Sequence, residues 1–237
     1  MSTVEVKNLV KYYGKTKAVK EITFNIEKGE IFGLIGPNGA GKTTALRVIS
    51  TLLQINSGEV RIMENDVKKH PDKVRKLISY LPEDAGAYKN LSGRGYLTFI
   101  ANFFVEQNTR EMVEKGIEIA DLGERINDKV DTYSKGMKRR LLVGRALMTN
   151  PKLAILDEPT SGLDVINAQE IRKIIKETAR GGTTVLLSSH NMLEVEYLCD
   201  RIALIDEGII VEEGKPKTLM KKYNANNIEE VFTQVVA

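Results

Sequence analysis

The chain has 237 residues, 42% hydrophobic and 28% charged, and its 35 basic against 32 acidic side chains leave a formal net charge of +3. That apolar share is enough for a sizeable core and excludes a disordered chain, and so mild a charge is no argument for nucleic acid. One cysteine, Cys199, and two histidines exclude an intramolecular disulfide framework and a typical zinc site, and point to a reducing compartment. At roughly 100–200 residues per domain, one large domain is expected, alone or with a sub-domain. No window approaches the ~18 apolar residues of a membrane span. The richest, 96–105, is short and broken by Thr98 and Asn102. The opening Met1-Ser2-Thr3-Val4-Glu5-Val6 has neither a basic region nor a long apolar stretch, so no signal peptide is expected.

Strand-like and helix-like segments alternate along the chain, which points to an α/β fold. Apolar residues at alternate positions predict strands over 3–10 and 19–26. A short apolar run, 30–35, ends in a glycine-rich turn, and a helix is expected over 42–53. Short strands follow at 60–63 and 78–81, then helices over 92–107, 110–122 and 135–148 with no strand of comparable length between them. The rest reads as strand 152–156, helix 165–180, strand 183–188, helix 192–198 and a hairpin of 201–206 with 209–212 around Glu207-Gly208. The strand-poor stretch 88–150 is expected to be a helical sub-domain inserted in a core made of 1–87 and 151–215. From Pro216 to the end, 216–237, a charged helical tail is expected. Its Ile228, Val231, Phe232 and Val235 form an apolar stripe at helical spacing, expected to dock on its own domain.

Gly36-Pro37-Asn38-Gly39-Ala40-Gly41-Lys42-Thr43 fits G-x-x-x-x-G-K-[ST] in full and lies between a predicted strand and a predicted helix. Glycines allow a tight loop whose backbone N–H groups point at phosphate oxygens, and the following helix adds its positive end. Lys42 neutralises the β- and γ-phosphates, and the Thr43 hydroxyl is placed to ligate Mg2+. Thr44 completes the expected nucleotide-binding set. Over a hundred residues downstream, Leu153-Ala154-Ile155-Leu156-Asp157-Glu158 is an apolar strand ending in two carboxylates. Asp157 is expected at the metal, and Glu158 beside it as the group that polarises a water for attack on the γ-phosphate.

With these residues in place, the chain resembles the ATP-binding subunit of an ABC transporter along nearly its whole length. The resemblance implies a P-loop NTPase core of ABC ATPase type, with an N-terminal antiparallel β portion and an inserted helical sub-domain. That sub-domain carries a signature, usually L-S-G-G-Q, at the start of a helix. Here it reads Tyr133-Ser134-Lys135-Gly136-Met137. Ser134 and Gly136 match, and their implied role is to bind the γ-phosphate held by the opposite subunit. A helix cap is Ser134's other role. Leu91-Ser92-Gly93-Arg94-Gly95 imitates the signature, but lies far upstream and is expected only to cap the next helix.

The remaining family positions are placed one at a time. Asp164, in Pro159-Thr160-Ser161-Gly162-Leu163-Asp164, resembles the acid of the loop that crosses the dimer interface. His190 resembles the switch histidine that contacts the γ-phosphate, while His70 is expected to be merely solvated. Tyr13 resembles the aromatic that stacks on adenine; packing in the sheet is the alternative. Where the family usually has a Mg2+-ligating glutamine, this chain has Glu83, whose carboxylate still offers oxygen. Glu83, the Ser-Lys-Gly-Met signature and the Glu229-Glu230-Val231-Phe232 tail resemble export-type subunits serving drugs, sodium or polysaccharide.

The implied function is ATP hydrolysis, with Mg2+, by a head-to-tail dimer made with a second copy or a paralogous ATPase. The dimer drives an integral membrane permease, with the chain cytoplasmic and peripheral on the inner face of the membrane and no nucleic acid partner. The alternatives are a soluble ABC-type ATPase of translation or DNA repair and a non-hydrolysing regulatory module. Asn127-Asp128-Lys129-Val130-Asp131 does not fit the N-K-x-D of a GTPase.

Overall fold

The computed structural model describes residues 2–104 and 108–236. Its strands, in chain order, are β1 (Ser2–Tyr13), β2 (Thr16–Glu27), β3 (Ile31–Ile35), β4 (Ser57–Ile62), β5 (Asn65–Asp66), β6 (Ile78–Leu81), β7 (Leu153–Asp157), β8 (Thr184–Ser189), β9 (Arg201–Asp206) and β10 (Ile209–Gly214). Its helices are α1 (Lys42–Ile49), α2 (Pro71–Arg75), α3 (Gly93–Ala101), α4 (Thr109–Ala120), α5 (Lys135–Leu147), α6 (Val165–Arg180), α7 (Met192–Leu198), α8 (Pro216–Lys222) and α9 (Ile228–Val236).

The strands form two sheets. One is antiparallel with order β2-β1-β4-β5; the other has order β10-β9-β3-β8-β7-β6 and is parallel except for β10 at its edge. Strands β3, β7 and β8 are buried at every position, as parallel strands covered on both faces must be. The two-residue period of a strand divides the core. Phe32, Leu34, Ile155 and Leu186 face the antiparallel sheet and α1, where the Phe24 and Phe32 rings stack at 5.2 Å. Ile31, Ile35, Leu156 and Leu187 face the opposite way, into an apolar cluster shared with α3–α6. Helices α4 and α5 meet closely because glycine stands at the crossing: a Cβ on Gly144 would lie 2.5 Å from the Gly116 carbonyl oxygen.

The α/β class and the β-rich N-terminal portion agree with the sequence reading, and the hairpin over 201–214 forms with positive φ at Glu207 and Gly208. The helix expected over 42–53 stops at Ile49. Thr51 turns into the left-handed region (φ +65°), and the Leu52 and Leu53 amides both donate back to the Arg47 carbonyl. The helix expected over 92–107 ends at Ala101, and positions 105–107 lie outside the described residues. Helix α2, with Pro71 at its first position, and strand β5 have no counterpart in the sequence reading. The tail stripe docks at home: Ile228 and Val231 are fully buried, and Phe232 and Val235 pack against the same cluster. Among the described residues no helix is long and apolar enough to cross a membrane.

Candidate functional site

The loop 36–41 leaves the C-terminal end of β3 and enters α1. At its two ends, Gly36 and Gly41, the backbone is pressed against neighbours that leave no room for a side chain. A Cβ on Gly36 would lie 2.0 Å from the Ile205 carbonyl oxygen, and one on Gly41 (φ +102°) would lie 2.5 Å from that of Ala18. The amides of the first helical turn have no intrahelical partner, so the loop presents N–H groups and a positive helix end to one small volume. Lys42 folds back over the loop. Its Nζ donates to the carbonyls of Gly36 at 2.7 Å and Pro37 at 3.1 Å.

Strand β7 lies two places away and delivers the acids. The Thr43 hydroxyl donates to Asp157 Oδ1 at 3.1 Å, and the Ser188 hydroxyl, from β8, donates to the same oxygen at 2.6 Å. The Tyr80 hydroxyl, from β6, donates to Oδ2 at 3.3 Å. Burial, then the Asp157 charge, pushes the Tyr80 phenol up to about 12. Glu158 is 5% exposed and sits in the left-handed region (φ +48°), uncommon for a residue with a side chain. Its amide donates to Ser188 Oγ at 3.0 Å, and its Oε2 lies 2.9 Å from His190 Nδ1. Its other oxygen, Oε1, is buried without a hydrogen-bond partner, 3.5 Å from the Lys42 ammonium.

Glu83 lies across a cleft of about 160 Å³, lined by the loop, Lys42, Thr43, Thr44 and Glu158. Its Oε1 accepts from Ser161 Oγ at 3.2 Å. Among the described residues no group of three or more His, Cys, Asp or Glu side chains gathers around one metal position. A Mg2+ ion accompanying a nucleotide needs fewer, since phosphates and water supply most of its oxygen ligands. The hard-oxygen pair Thr43–Asp157, set beside a lysine held by carbonyls, fits that requirement.

The signature residues form a second constellation, and neither Ser134 nor Gly136 lines that cleft. Ser134 caps α5, its hydroxyl accepting from the Met137 amide at 3.2 Å. Gly136 lies under Asn167: a Cβ there would meet the Asn167 Oδ1 at 2.0 Å. Asp164 caps α6 and accepts from the Asn167 amide at 3.0 Å, and these bonds hold its carboxyl below the usual range. Ser92 caps α3 in the same way, accepting from the Gly95 amide at 3.0 Å, as the sequence suggested. Tyr13 ends β1, where it pairs with Thr16 of β2, and it is 47% exposed. His70 is exposed at the start of α2.

The sequence reading gave neither Ser188 nor Tyr80 a role in the site. Ser188 carries a weak signal, a hydroxyl in the otherwise apolar run Val185-Leu186-Leu187. Tyr80 carries none, since an aromatic in a strand reads as packing.

Residues 19–161 match the family model described as ABC transporter. The chain is 37% identical to the linearmycin resistance ATP-binding protein LnrL of Bacillus subtilis (strain 168), over 95% of this chain and 73% of that one. It is 36% identical to the bacitracin transport ATP-binding protein BcrA of Bacillus licheniformis, over 97% of this chain and 75% of that one. Among solved structures it resembles an ATP-binding subunit of an ABC transporter, with TM-score 0.87, 25% identity and coverage of 99% of this chain and 100% of that one. It also resembles a dimeric ATP-binding cassette in a post-hydrolysis state with ADP and Pi, with TM-score 0.79, 27% identity and coverage of 90% and 98%.

Proposed function

The chain belongs to the ABC transporter family as one of its ATP-binding subunits, and on that premise we propose how its side chains divide the work. It binds and hydrolyses ATP between two such subunits in a head-to-tail dimer, and that hydrolysis powers a membrane permease. Loop 36–41 with Lys42, Thr43 and Thr44 cradles the phosphates, and Lys42 exchanges its carbonyl partners for phosphate oxygens. Tyr13, exposed at the end of β1, stacks on the adenine. Thr43 and Asp157 would hold Mg2+, with Glu83 a further oxygen donor across the cleft, and the ion would supply neutralisation of charge on the phosphates. Ser134 and Gly136 face the ATP held by the other subunit, and Asp164 stands in the loop that meets it.

Glu158 is the general base. The observation that carries this role is its divided carboxylate: Oε2 is held by His190, and Oε1 is buried without a hydrogen bond. An acceptor so placed is costly unless something donates to it, and a water on its way to the γ-phosphate is such a donor.

The two parts of the fold have separate roles, in which 1–87 with 151–215 binds nucleotide and the inserted 88–150 answers the other subunit. The loop after Glu83 leads to exposed aromatics. Tyr88 and Phe99 are edge-on at 5.3 Å, as are Phe99 and Phe103. This face receives the permease, so the chain works on the inner face of the membrane. Relatives named for resistance to or transport of antibiotics support an export-type transporter. Two measurements test this reading. Purified chain should release phosphate from Mg-ATP, and a tagged chain drawn from detergent-solubilised cells should bring a polytopic membrane protein with it. No phosphate release, or ribosomal and DNA-associated partners alone, would contradict it.

A further inference from the structure

Arg139 stands in the second turn of α5, five residues after Ser134, and only 8% of it is exposed. A guanidinium has five N–H donors in a fixed fork, and here all five meet backbone carbonyls. Nε donates to Pro159 at 2.8 Å. Nη1 donates to Pro82 at 3.3 Å and Glu83 at 3.2 Å. Nη2 donates to Asp157 at 3.0 Å and Glu158 at 2.8 Å.

A cation filling this space for packing alone would be a poor choice, because burying it costs solvation that an apolar side chain would not lose. Desolvation does pull its pKa down. The carbonyls it holds are not a random set. Those of Asp157, Glu158 and Pro159 are consecutive and bracket the left-handed turn at Glu158. Strained backbone of this kind persists only where surrounding contacts over-determine it. The other two belong to Pro82 and Glu83, at the mouth of the loop that leads to the exposed aromatics. The guanidinium therefore joins three pieces: the helix capped by Ser134, the turn that aims the Glu158 carboxylate, and the start of the Glu83 loop.

We propose that Arg139 is a positioning residue for hydrolysis, fixing Glu158 and Glu83 in one frame with the helix that begins at Ser134. The inference rests on the reading of Glu158 as general base. Arg139 does not touch the nucleotide. It sets where Glu158 points, and it ties that direction to the helix whose N-terminus meets the other subunit's ATP.

The test compares purified wild type with Arg139→Gln, Arg139→Lys, Arg145→Gln and Glu158→Gln in kcat, ATP Kd and Tm. Arg145 is the control, an arginine on the same helix whose Nε is buried beside Tyr96. Arg139→Gln is expected to lower kcat on the order of 10²-fold, the cost of small misplacement at a reacting centre, with Kd within about 3-fold of wild type. Arg139→Lys keeps the charge but loses the fork, and its kcat should fall between the two. Arg145→Gln should keep kcat within about 3-fold whatever it loses in Tm. The proposal is overturned if the Arg139 variants keep kcat, or if their kcat and ATP affinity fall together in step with Tm, as a general loss of folding would give. Should Arg139→Gln not fold, Arg139→Lys decides by the same two outcomes. A wild-type rate in Glu158→Gln would instead overturn the base assignment on which the proposal rests.

Discussion

His190 Nδ1 lies 2.9 Å from Glu158 Oε2, although the two residues come from the ends of different strands. The contact occupies one carboxylate oxygen and leaves the other facing Lys42. Loss of the imidazole should let the carboxylate rotate toward the lysine. His190→Ala is therefore expected to lower kcat by roughly 10²–10⁴-fold, the range of a general-base contribution, with little change in ATP affinity. Steady-state phosphate release and equilibrium nucleotide binding check it; a fall in affinity with kcat intact would place His190 in binding instead.

Lys42 is 6% exposed and, among the described residues, is held by two carbonyls and one distant carboxylate. Lys42→Ala removes a charged donor from the phosphate site. A hydrogen bond to a charged group contributes about 1.5–3 kcal/mol, so the ATP Kd should rise by roughly 10- to 150-fold. Titration with a fluorescent ATP analogue measures this, and an unchanged Kd would remove Lys42 from the site.

Tyr80 donates to Asp157 and keeps its proton up to about 12, well above the ordinary 10.0 of a tyrosine. The sign follows from linkage: above about pH 10 the unfolded chain releases this proton and the folded chain does not. The stabilisation is complete below pH 10 and is lost as pH rises towards 12. Stability measured in urea from about pH 9 to 11 should fall more steeply in wild type than in Tyr80→Phe. Equal slopes would mean that burial and the Asp157 charge together do not hold this proton.

The tail is part of the core. Ile228 is fully buried, and its amide donates to Glu196 of α7 at 2.7 Å. Ile228→Ala should cost about 2–5 kcal/mol of folding stability, the usual result of emptying such a site. Urea unfolding checks it, and a cost under about 1 kcal/mol would mean that α9 is not docked as described.

The parts of the site legible in the sequence are the contiguous ones. The turn from Gly36 to Thr43 binds through its own backbone, so its chemistry is local and its spacing is diagnostic. Asp157 and Glu158 are legible because an apolar strand announces where it ends. Arg139 is not: in Lys138-Arg139-Arg140 it reads as one more surface cation, and its partners lie 18 to 57 residues away. The link from Tyr80 to Asp157 spans 77 residues and leaves no local pattern. Short elements escape for a related reason. Strand β5 has two residues and α2 has five, fewer than a period needs to declare itself. Leu52 and Leu53 prolong the apolar pattern of α1 beyond its end, because the turn at Thr51 is fixed by backbone bonds to Arg47 and not by side-chain periodicity.

As general base, Glu158 would serve the hydrolysis of an ATP that itself joins two subunits. Sedimentation of Glu158→Gln with Mg-ATP and with Mg-ADP tests it most directly. The variant should form a stable dimer with ATP and stay monomeric with ADP, and wild type should accumulate no dimer, because hydrolysis keeps reopening it. A Glu158→Gln chain that stays monomeric while binding ATP would show that ATP does not join two copies, and one that hydrolyses ATP at the wild-type rate would show that Glu158 is not the base.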